Sequence, residues 1–127
     1  MPPAFMWKTV HTYLPPLLWA GLIFFLSNQS TLPSMETNLF DFAFKKLAHV
    51  TVYAVLYLLI YRAMLLNAFS PRQLLVWPIA LCFVYALSDE LHQSFTPGRH
   101  PALMDIGFDM VGVGIAWLKK NRLARFF

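Results

Sequence analysis

The sequence predicts an all-α membrane protein, folded as a bundle of four transmembrane helices. Of the 127 residues, 58% are hydrophobic and only 13% are charged, whereas a soluble domain carries about 25% charged residues. Four spans of ~20 residues joined by short loops would use nearly the whole chain. We therefore expect a single domain over residues 1–127, with no room for a soluble one.

The first predicted span covers residues 13–27 and the second covers residues 47–66. Lys8 ahead of the first run would also suit a signal peptide, but SNQS at its end matches a cleavage site poorly, so we favour a retained helix. We expect Pro15 and Pro16 in the first turn of this helix, where the missing N–H of proline costs least. The second run has the ~20 residues that cross a bilayer core, and it is the clearest of the four.

The third predicted span covers residues 74–91 and the fourth covers residues 102–118. The third is strongly apolar only as far as Leu87, and its length would also permit a buried or re-entrant segment. The fourth contains two aspartates and three glycines. A helix is still expected there, because unpaired backbone cannot face lipid.

Lysine and arginine residues predict the orientation, because they are enriched on the cytoplasmic side of membrane proteins. Lys8 precedes the first span, Arg62 and Arg72 flank the connection between spans two and three, and four cations within residues 119–125 follow the fourth. These regions and both termini are therefore predicted to be cytoplasmic, with a polar pocket facing outward from the cell membrane. The cations that count against this orientation are Lys45, Lys46 and Arg99.

Charge and cysteine content exclude two other classes of protein. The net charge is +4, but four of the ten cations lie beside the last apolar segment. That arrangement is typical of a membrane-flanking tail, so no nucleic-acid partner is expected. The single cysteine, Cys82, lies in an apolar run, which excludes a disulfide framework and a cysteine metal site and predicts a small buried hydrophobe.

Polar side chains share faces of the predicted helices. With a rise of ~1.5 Å per residue, Asp109 lies ~15 Å from Lys119, near the midplane of a ~30 Å hydrocarbon core. Steps of three and four residues place His49 on a polar face of span two and Asp109 on a polar face of span four. The other members of these faces are Lys46, Tyr53 and Tyr57 on span two, and Asp105 and Gly112 on span four.

Span three ends in a dense polar stretch. Asp89 and Gln93 share one helical face, as do Ser88 and His92. The sequence TPG that follows predicts a turn, since proline and glycine together end a helix. We expect Arg99 to emerge from this turn over the other polar groups.

Several of these groups have a structural alternative. Ionisable side chains at membrane depth cost at least ~2.5 kcal/mol each on insertion scales and mark either function or a buried ion pair. An Arg99–Asp105 pair formed for structure alone therefore stays open. For the tyrosines of span two, we expect positions in the interfacial aromatic belt. The other open alternatives are a Lys46 that snorkels to the surface, a helix-end Asp89 and a solvent-exposed His92.

A longer pattern surrounds the polar end of span three. It comprises Ser88-Asp89-Glu90-Leu91-His92-Gln93, then Phe95, Pro97-Gly98-Arg99, Asp105 and Gly112. This spacing resembles the S-D-E-x-x-Q-x-F-x-P-x-R signature, followed by an aspartate and a helix glycine, of the VanZ-like family of small membrane proteins. FFLSNQS also resembles the serine-bearing end of the family's first helix, and KKLAHVTVY the lysine–histidine start of its second. Asp109 departs from the family pattern, which usually has asparagine there.

The resemblance implies a single VanZ-like transmembrane domain that affects how cell-envelope lipids or antibiotics meet the outer leaflet of the membrane. The family is named for an accessory protein of glycopeptide resistance that acts against teicoplanin, and the resemblance implies no settled reaction. The expected partners are therefore membrane lipids or lipid-linked cell-envelope precursors.

Our first hypothesis is an outward-opening pocket that binds an anionic lipid head group, with hydrolysis or transfer left open. Arg99, Lys46 and His49 would hold a phosphate or carboxylate, because guanidinium offers paired donors and lysine a point charge. The remaining residues assigned to substrate binding are Gln93, Ser27, His92 and Asp109.

Four residues are candidates for the chemistry of this pocket. Glu90 or Asp89 would act as general base or acid, and Asp105 would orient a cation or His49. No cofactor is expected, because the sequence lacks a compact ligand motif such as H-E-x-x-H. A divalent cation bound by these four carboxylate and imidazole side chains is the alternative.

Two other classes of function stay open. In a proton-coupled transporter or lipid translocase, Asp105 and Asp109 would relay protons through the bundle. In a non-catalytic assembly protein, Arg99 and the acids would form a structural network, and Gly112 and Ala116, four residues apart, would allow close helix packing. An oligomer is compatible with either class.

Overall fold

The computed structural model describes residues 3–27, 39–95 and 103–123, and within them the side chains of residues 27, 39, 41, 42 and 123 are not described. The regular structure of this part of the chain is entirely helical. The four helices are α1 (Ala4–Ser27), α2 (Leu39–Leu65), α3 (Pro71–Gln93) and α4 (Leu103–Leu123). The prediction of an all-helical fold with four helices is therefore confirmed.

Three of the helices contain segments long and apolar enough to cross a membrane: Ala4–Leu26, Ala43–Leu65 and Pro71–Gln93. Many of their large apolar side chains are exposed, as expected of a surface that lipid covers. The chain is thus a membrane protein. Helix α4 carries two aspartates and two lysines and lies outside this apolar set, so its passage through the membrane and the side on which the termini lie stay predictions.

The described contacts between helices define an up-and-down order. Helix α1 runs antiparallel to α2, because Trp19 Nε1 donates to the Val52 carbonyl at 2.8 Å while Arg62 Nη1 donates to the His11 carbonyl at 3.2 Å. Helices α1 and α3 run parallel, since the Tyr85 hydroxyl donates to the Ala20 carbonyl and Phe24 stacks on His92. We call the end where α1 and α3 begin the basic end, and the opposite end the acidic end.

A short connection joins α2 to α3 at the basic end. Ala68 has a φ of 59°, which turns the chain sharply after α2. Ser70 then caps α3. The Ser70 hydroxyl accepts a hydrogen bond from the Gln73 backbone N–H at 3.2 Å, and the Ser70 backbone N–H donates to Gln73 Oε1 at 2.9 Å. Pro71 follows at the first helical position, where its fixed φ suits a helix start.

Helix α4 packs mainly against α2, and Gly112 makes the closest approach. A Cβ at Gly112 would lie 2.0 Å from the Val50 carbonyl oxygen, so the two backbones touch where the side chain is missing. Ala116, one turn later, is buried. A Cβ at Gly107 or Gly114 would meet nothing within 4 Å. Gly112 therefore supports packing within one chain.

The predicted positions of the span-two tyrosines are wrong. Tyr53 and Tyr57 are both 0% exposed and lie in the core, rather than in a belt at the membrane surface. The Tyr53 ring lies 6.3 Å from that of Tyr85, and the Tyr57 ring lies 6.0 Å from that of Tyr61. Where lipid covers the outside of a bundle, its interior is the better environment for polar hydroxyls at membrane depth.

The predicted position of Pro15 and Pro16 is also wrong. Both lie inside α1, which begins at Ala4, ahead of the apolar run. Pro15 has no N–H to donate to the His11 carbonyl four residues earlier. The Arg62 guanidinium of α2 donates to that carbonyl instead. A neighbouring helix thus supplies the hydrogen bond that lets proline remain inside a membrane helix.

Replacing Trp19 with phenylalanine is expected to lower the free energy of unfolding by about 1 kcal/mol, because the hydrogen bond to Val52 is lost while the aromatic packing is kept. Unfolding of the purified protein in mixed micelles measures the effect. Trp77→Phe, at an exposed position on α3, is the matched control. Equal stability losses in the two variants would contradict this role of Trp19.

Candidate functional site

Two polar pairs join α2 to α4 near the acidic end. Lys46 Nζ forms an ion pair with Asp105 Oδ1. One helical turn farther into the bundle, His49 Nδ1 lies 2.7 Å from Asp109 Oδ1. We call these four residues the seam cluster. The polar faces predicted for these two helices are therefore in contact with each other.

The close approach at Gly112 explains why these pairs form. Gly112 lies three residues after Asp109, and Val50 lies one residue after His49. Contact between the two backbones at this level brings the His49 and Asp109 side chains within hydrogen-bonding distance. Lys46 also lies 5.6 Å from the centre of the Phe108 ring, which adds a cation–π contact to its ion pair.

The His49–Asp109 pair has an orientation that suits proton transfer. Asp109 is 1% exposed and His49 is 21% exposed, so the carboxylate is buried beneath the imidazole. When Asp109 is ionised, its carboxylate can only accept a hydrogen bond, and His49 would then donate to it through Nδ1. That tautomer leaves the lone pair on Nε2 as the site where His49 accepts a proton.

Helix α3 brings further acidic and polar groups to the same end. Asp89, Glu90 and Gln93 are buried at its C-terminal end. Asp109 interacts electrostatically with both Asp89 and Asp105. The predicted cluster of acidic side chains thus draws its members from α3 and α4.

Tyr53 also belongs to this group; the sequence placed it on the polar face of α2, although we expected it at the membrane surface. It interacts electrostatically with Asp109 and Asp89. Its hydroxyl is buried and, among the described residues, has no hydrogen-bond partner; the same holds for Asp109 Oδ2 and Gln93 Nε2. Its spacing of four residues from His49 predicted the shared helical face but not its burial in the core.

The sequence profile described as VanZ/LLP1 matches residues 12–120. The chain belongs to the VanZ/LLP1 family. The match extends from α1 into the last turns of α4 and includes every candidate site residue, so the family predicted from the sequence signature is confirmed. No curated protein and no solved structure matches the chain.

Asp105 was expected to orient either a cation or His49 in this VanZ/LLP1 protein. In the structure it pairs with the cation Lys46, and Asp109 makes the contact with His49. Because α2 and α4 run parallel, each acid meets the basic residue at its own level. Lys46 is held in this pair rather than extended to the membrane surface.

Other predicted site residues have different positions in the VanZ/LLP1 structure. His92 stacks on Phe24 of α1 with ring centres 4.3 Å apart, which holds the end of α3 against α1. Arg99 lies outside the described residues, as does the side chain of Ser27. Their roles, and an Arg99–Asp105 pair, stay predictions.

A metal centre is not assembled by the part of the chain that the structure describes. Within it, no three His, Cys, Asp or Glu side chains are close enough together to hold a metal ion. Lys46 already neutralises Asp105, one of the four ligands proposed for a divalent cation. The expectation that the VanZ/LLP1 protein needs no cofactor stays a prediction.

Proposed function

We propose that this VanZ/LLP1 protein binds an anionic lipid-linked head group at the acidic end of its bundle and cleaves or transfers it with His49 as the general base. The observation that carries this proposal is the His49–Asp109 pair, in which a 2.7 Å contact holds Nδ1 against a carboxylate that is 1% exposed. A buried carboxylate that fixes the imidazole tautomer also stabilises the imidazolium formed when Nε2 takes a proton. This arrangement supports acid–base chemistry better than a structural ion pair.

The proposed reaction needs only a water molecule or an acceptor hydroxyl as co-reactant. His49 Nε2 removes its proton as the oxygen attacks the phosphorus atom of the head group. The new P–O bond forms as the P–O bond to the leaving group breaks. The leaving oxygen takes a proton either back from His49 or from a protonated Glu90, which His49 then reprotonates. Asp109 remains ionised throughout and holds the imidazolium.

Charge balance gives Arg99 the main part in binding the head group. The described acidic end holds the carboxylates of Asp89, Glu90, Asp105 and Asp109. Lys46 is already paired with one of them, so an incoming phosphate needs a further cation. Arg99 follows Gly98 in the sequence after α3, where a turn is predicted, and a guanidinium binds phosphate through two parallel hydrogen bonds. We therefore assign the head-group contact to Arg99 and the proton transfer to the seam cluster.

Turnover tests this proposal directly. Protein in phosphatidylglycerol vesicles that contain a polyprenyl diphosphate is expected to release phosphate or diphosphate, detected by phosphorus NMR. His49→Gln and Asp109→Asn are expected to slow release by about 100-fold or more, the usual contribution of a general base. Thr51→Val is the matched control, because the exposed Thr51 hydroxyl bonds only the Leu47 carbonyl of its own helix.

Two outcomes would reject the catalytic proposal. One is a folded His49→Gln protein that retains full turnover. The other is wild-type protein that leaves the phosphatidylglycerol and the polyprenyl diphosphate intact. In cells, teicoplanin susceptibility provides a second measurement. Glu90→Gln and Arg99→Ala are expected to abolish any protection that the wild-type protein gives, while Thr51→Val preserves it.

A proton-coupled transporter or lipid translocase is the second candidate function. The burial of Asp109, together with its electrostatic interactions with Asp89 and Asp105, favours it because these carboxylates could pass a proton between helices. Lipid movement in proteoliposomes that stops on Asp109→Asn substitution, without release of phosphate, supports this alternative over hydrolysis.

A further inference from the structure

The basic end of the bundle has a charge pattern that the acidic-end site does not use. Its described cations are Lys8, Arg62, Arg72, Lys119, Lys120 and Arg122. The described acidic side chains all lie at the other end, near the start of α4 and the end of α3. Anionic groups at the basic end therefore meet no described carboxylate that would repel them.

An apolar groove between α1 and α2 leads to this end. Its volume is about 590 Å³, and its lining includes Trp7, His11, Leu14, Leu18, Leu22 and Leu59. A volume of this size lies within the ~300–1,000 Å³ typical of sites for small ligands. From His11 to Leu22 the groove follows ~16 Å of helix, close to the ~15 Å hydrocarbon thickness of one leaflet. The groove is therefore about as long as the acyl region of a single lipid.

Arg62 lies at the polar end of this groove. It is one turn beyond Leu59, a lining residue, and its guanidinium bonds His11, another lining residue, at the carbonyl (3.2 Å) and at Nε2 (2.8 Å). These contacts use two of the five N–H groups of arginine, so the others are available to a phosphate. Arg62 thus places a positive charge at one end of the apolar groove.

We propose that the groove between α1 and α2, with Arg62 at its end, binds one anionic phospholipid from the leaflet at the basic end. The acyl chain lies along the apolar α1 face, and the phosphate receives hydrogen bonds from Arg62. Trp7, exposed at the same end, suits the head-group level, where tryptophan side chains are enriched. This site is separate from the seam cluster and does not depend on the proposed reaction.

A second apolar groove can be compared with the first as a site for an anionic lipid. It lies between α1, α2 and α3, has a volume of about 500 Å³, and is lined by residues that include Tyr13, Leu17, Ile60, Met64 and Trp77. Neither groove is lined by a lysine or arginine among the described residues, but in the first a lining residue, His11, is hydrogen-bonded to Arg62. The described lining of the second groove has no such bonded cation, so we expect that groove to take neutral and anionic lipids equally.

Competition between two lipids tests the site. Protein in nanodiscs of equimolar phosphatidylglycerol and phosphatidylcholine is released into a native mass spectrometer, and the retained lipids are counted. Wild-type protein is expected to keep one phosphatidylglycerol with about a fivefold preference, the contribution of one cation near a membrane surface. Arg62→Gln should bring the preference close to one. Arg72→Gln, which changes an exposed cation at the same end but outside the groove, should leave it unchanged.

A second variant pair separates lipid binding from helix packing, because Arg62 also bonds the His11 carbonyl. Leu18→Trp fills the groove without removing that bond and should lower retention of both lipids, whereas Leu75→Trp, at an exposed position on α3, should not. Equal retention of the two lipids by wild-type protein would overturn the proposal. So would equal effects of Arg62→Gln and Arg72→Gln, or displacement of the lipid by excess inorganic phosphate, which would identify a free-phosphate site.

Discussion

Replacing Gly112 with alanine is expected to lower the free energy of unfolding by about 3 kcal/mol, the upper part of the usual range for overpacking. The added Cβ would lie 2.0 Å from the Val50 oxygen, 2.8 Å from its carbonyl carbon and 3.0 Å from its Cα. All three are backbone atoms, so no side-chain rotation relieves the clash. Helix α4 must move away from α2, and the seam cluster must separate with it.

Gly114→Ala is the matched control for this substitution. Gly114 lies on the same helix, and a Cβ there would meet nothing within 4 Å. Alanine is the better helix former by ~1 kcal/mol, so this variant should be as stable as wild type or slightly more so. Unfolding in mixed micelles measures both variants. A Gly112→Ala protein as stable as the Gly114→Ala protein would show that the two backbones are not in contact at this level.

Helical periodicity predicted which side chains of the candidate site share a helical face. The period of 3.6 residues determines which side chains share a face, so the faces of Lys46 and His49 on α2 and of Asp105 and Asp109 on α4 were predicted from spacing alone. Spacing alone did not predict which side chain of α2 pairs with which side chain of α4. Which acid meets His49 depends on how far α4 is displaced along α2, and that displacement is set by a contact between Gly112 and Val50.

The burial of Tyr53 and Tyr57 was harder to predict for a different reason. In a soluble helix, apolar residues mark the inside, but in a membrane bundle both the interior and the lipid-facing surface are apolar. A tyrosine at membrane depth is therefore compatible with either an interfacial belt or the core. Packing of α4 against α2 decides between the belt and the core. Tyr53 follows His49 by one turn, on the face that α4 covers, and it is buried.

Pro15 shows how a residue distant in sequence can override a local rule. Proline is disfavoured inside a helix because it has no N–H, so the carbonyl four residues earlier loses its hydrogen-bond donor. Here that carbonyl belongs to His11, and its new donor is Arg62, 51 residues away along the chain. Local sequence carries no sign of this compensation, which depends on the antiparallel packing of α1 and α2.

Replacing His49 with leucine is expected to lower the free energy of unfolding by about 3–5 kcal/mol, the cost of leaving a buried charge without its partner. Asp109 is 1% exposed, and the contact of its Oδ1 with His49 Nδ1 is lost. The double variant His49→Leu/Asp109→Leu should recover most of this loss, because it removes the unpaired carboxylate and leaves two apolar groups at the seam.

The four proteins of this double-mutant cycle separate a structural from a catalytic pair. In both cases the double variant regains stability, but a pair needed only for stability also regains function in cells, whereas a pair needed for proton transfer does not. Thr51→Leu, at an exposed position on α2, is the control for added apolar surface. If the effects of the two single leucine substitutions simply add in the double variant, His49 and Asp109 are not coupled. The central contact of the candidate site would then carry neither role.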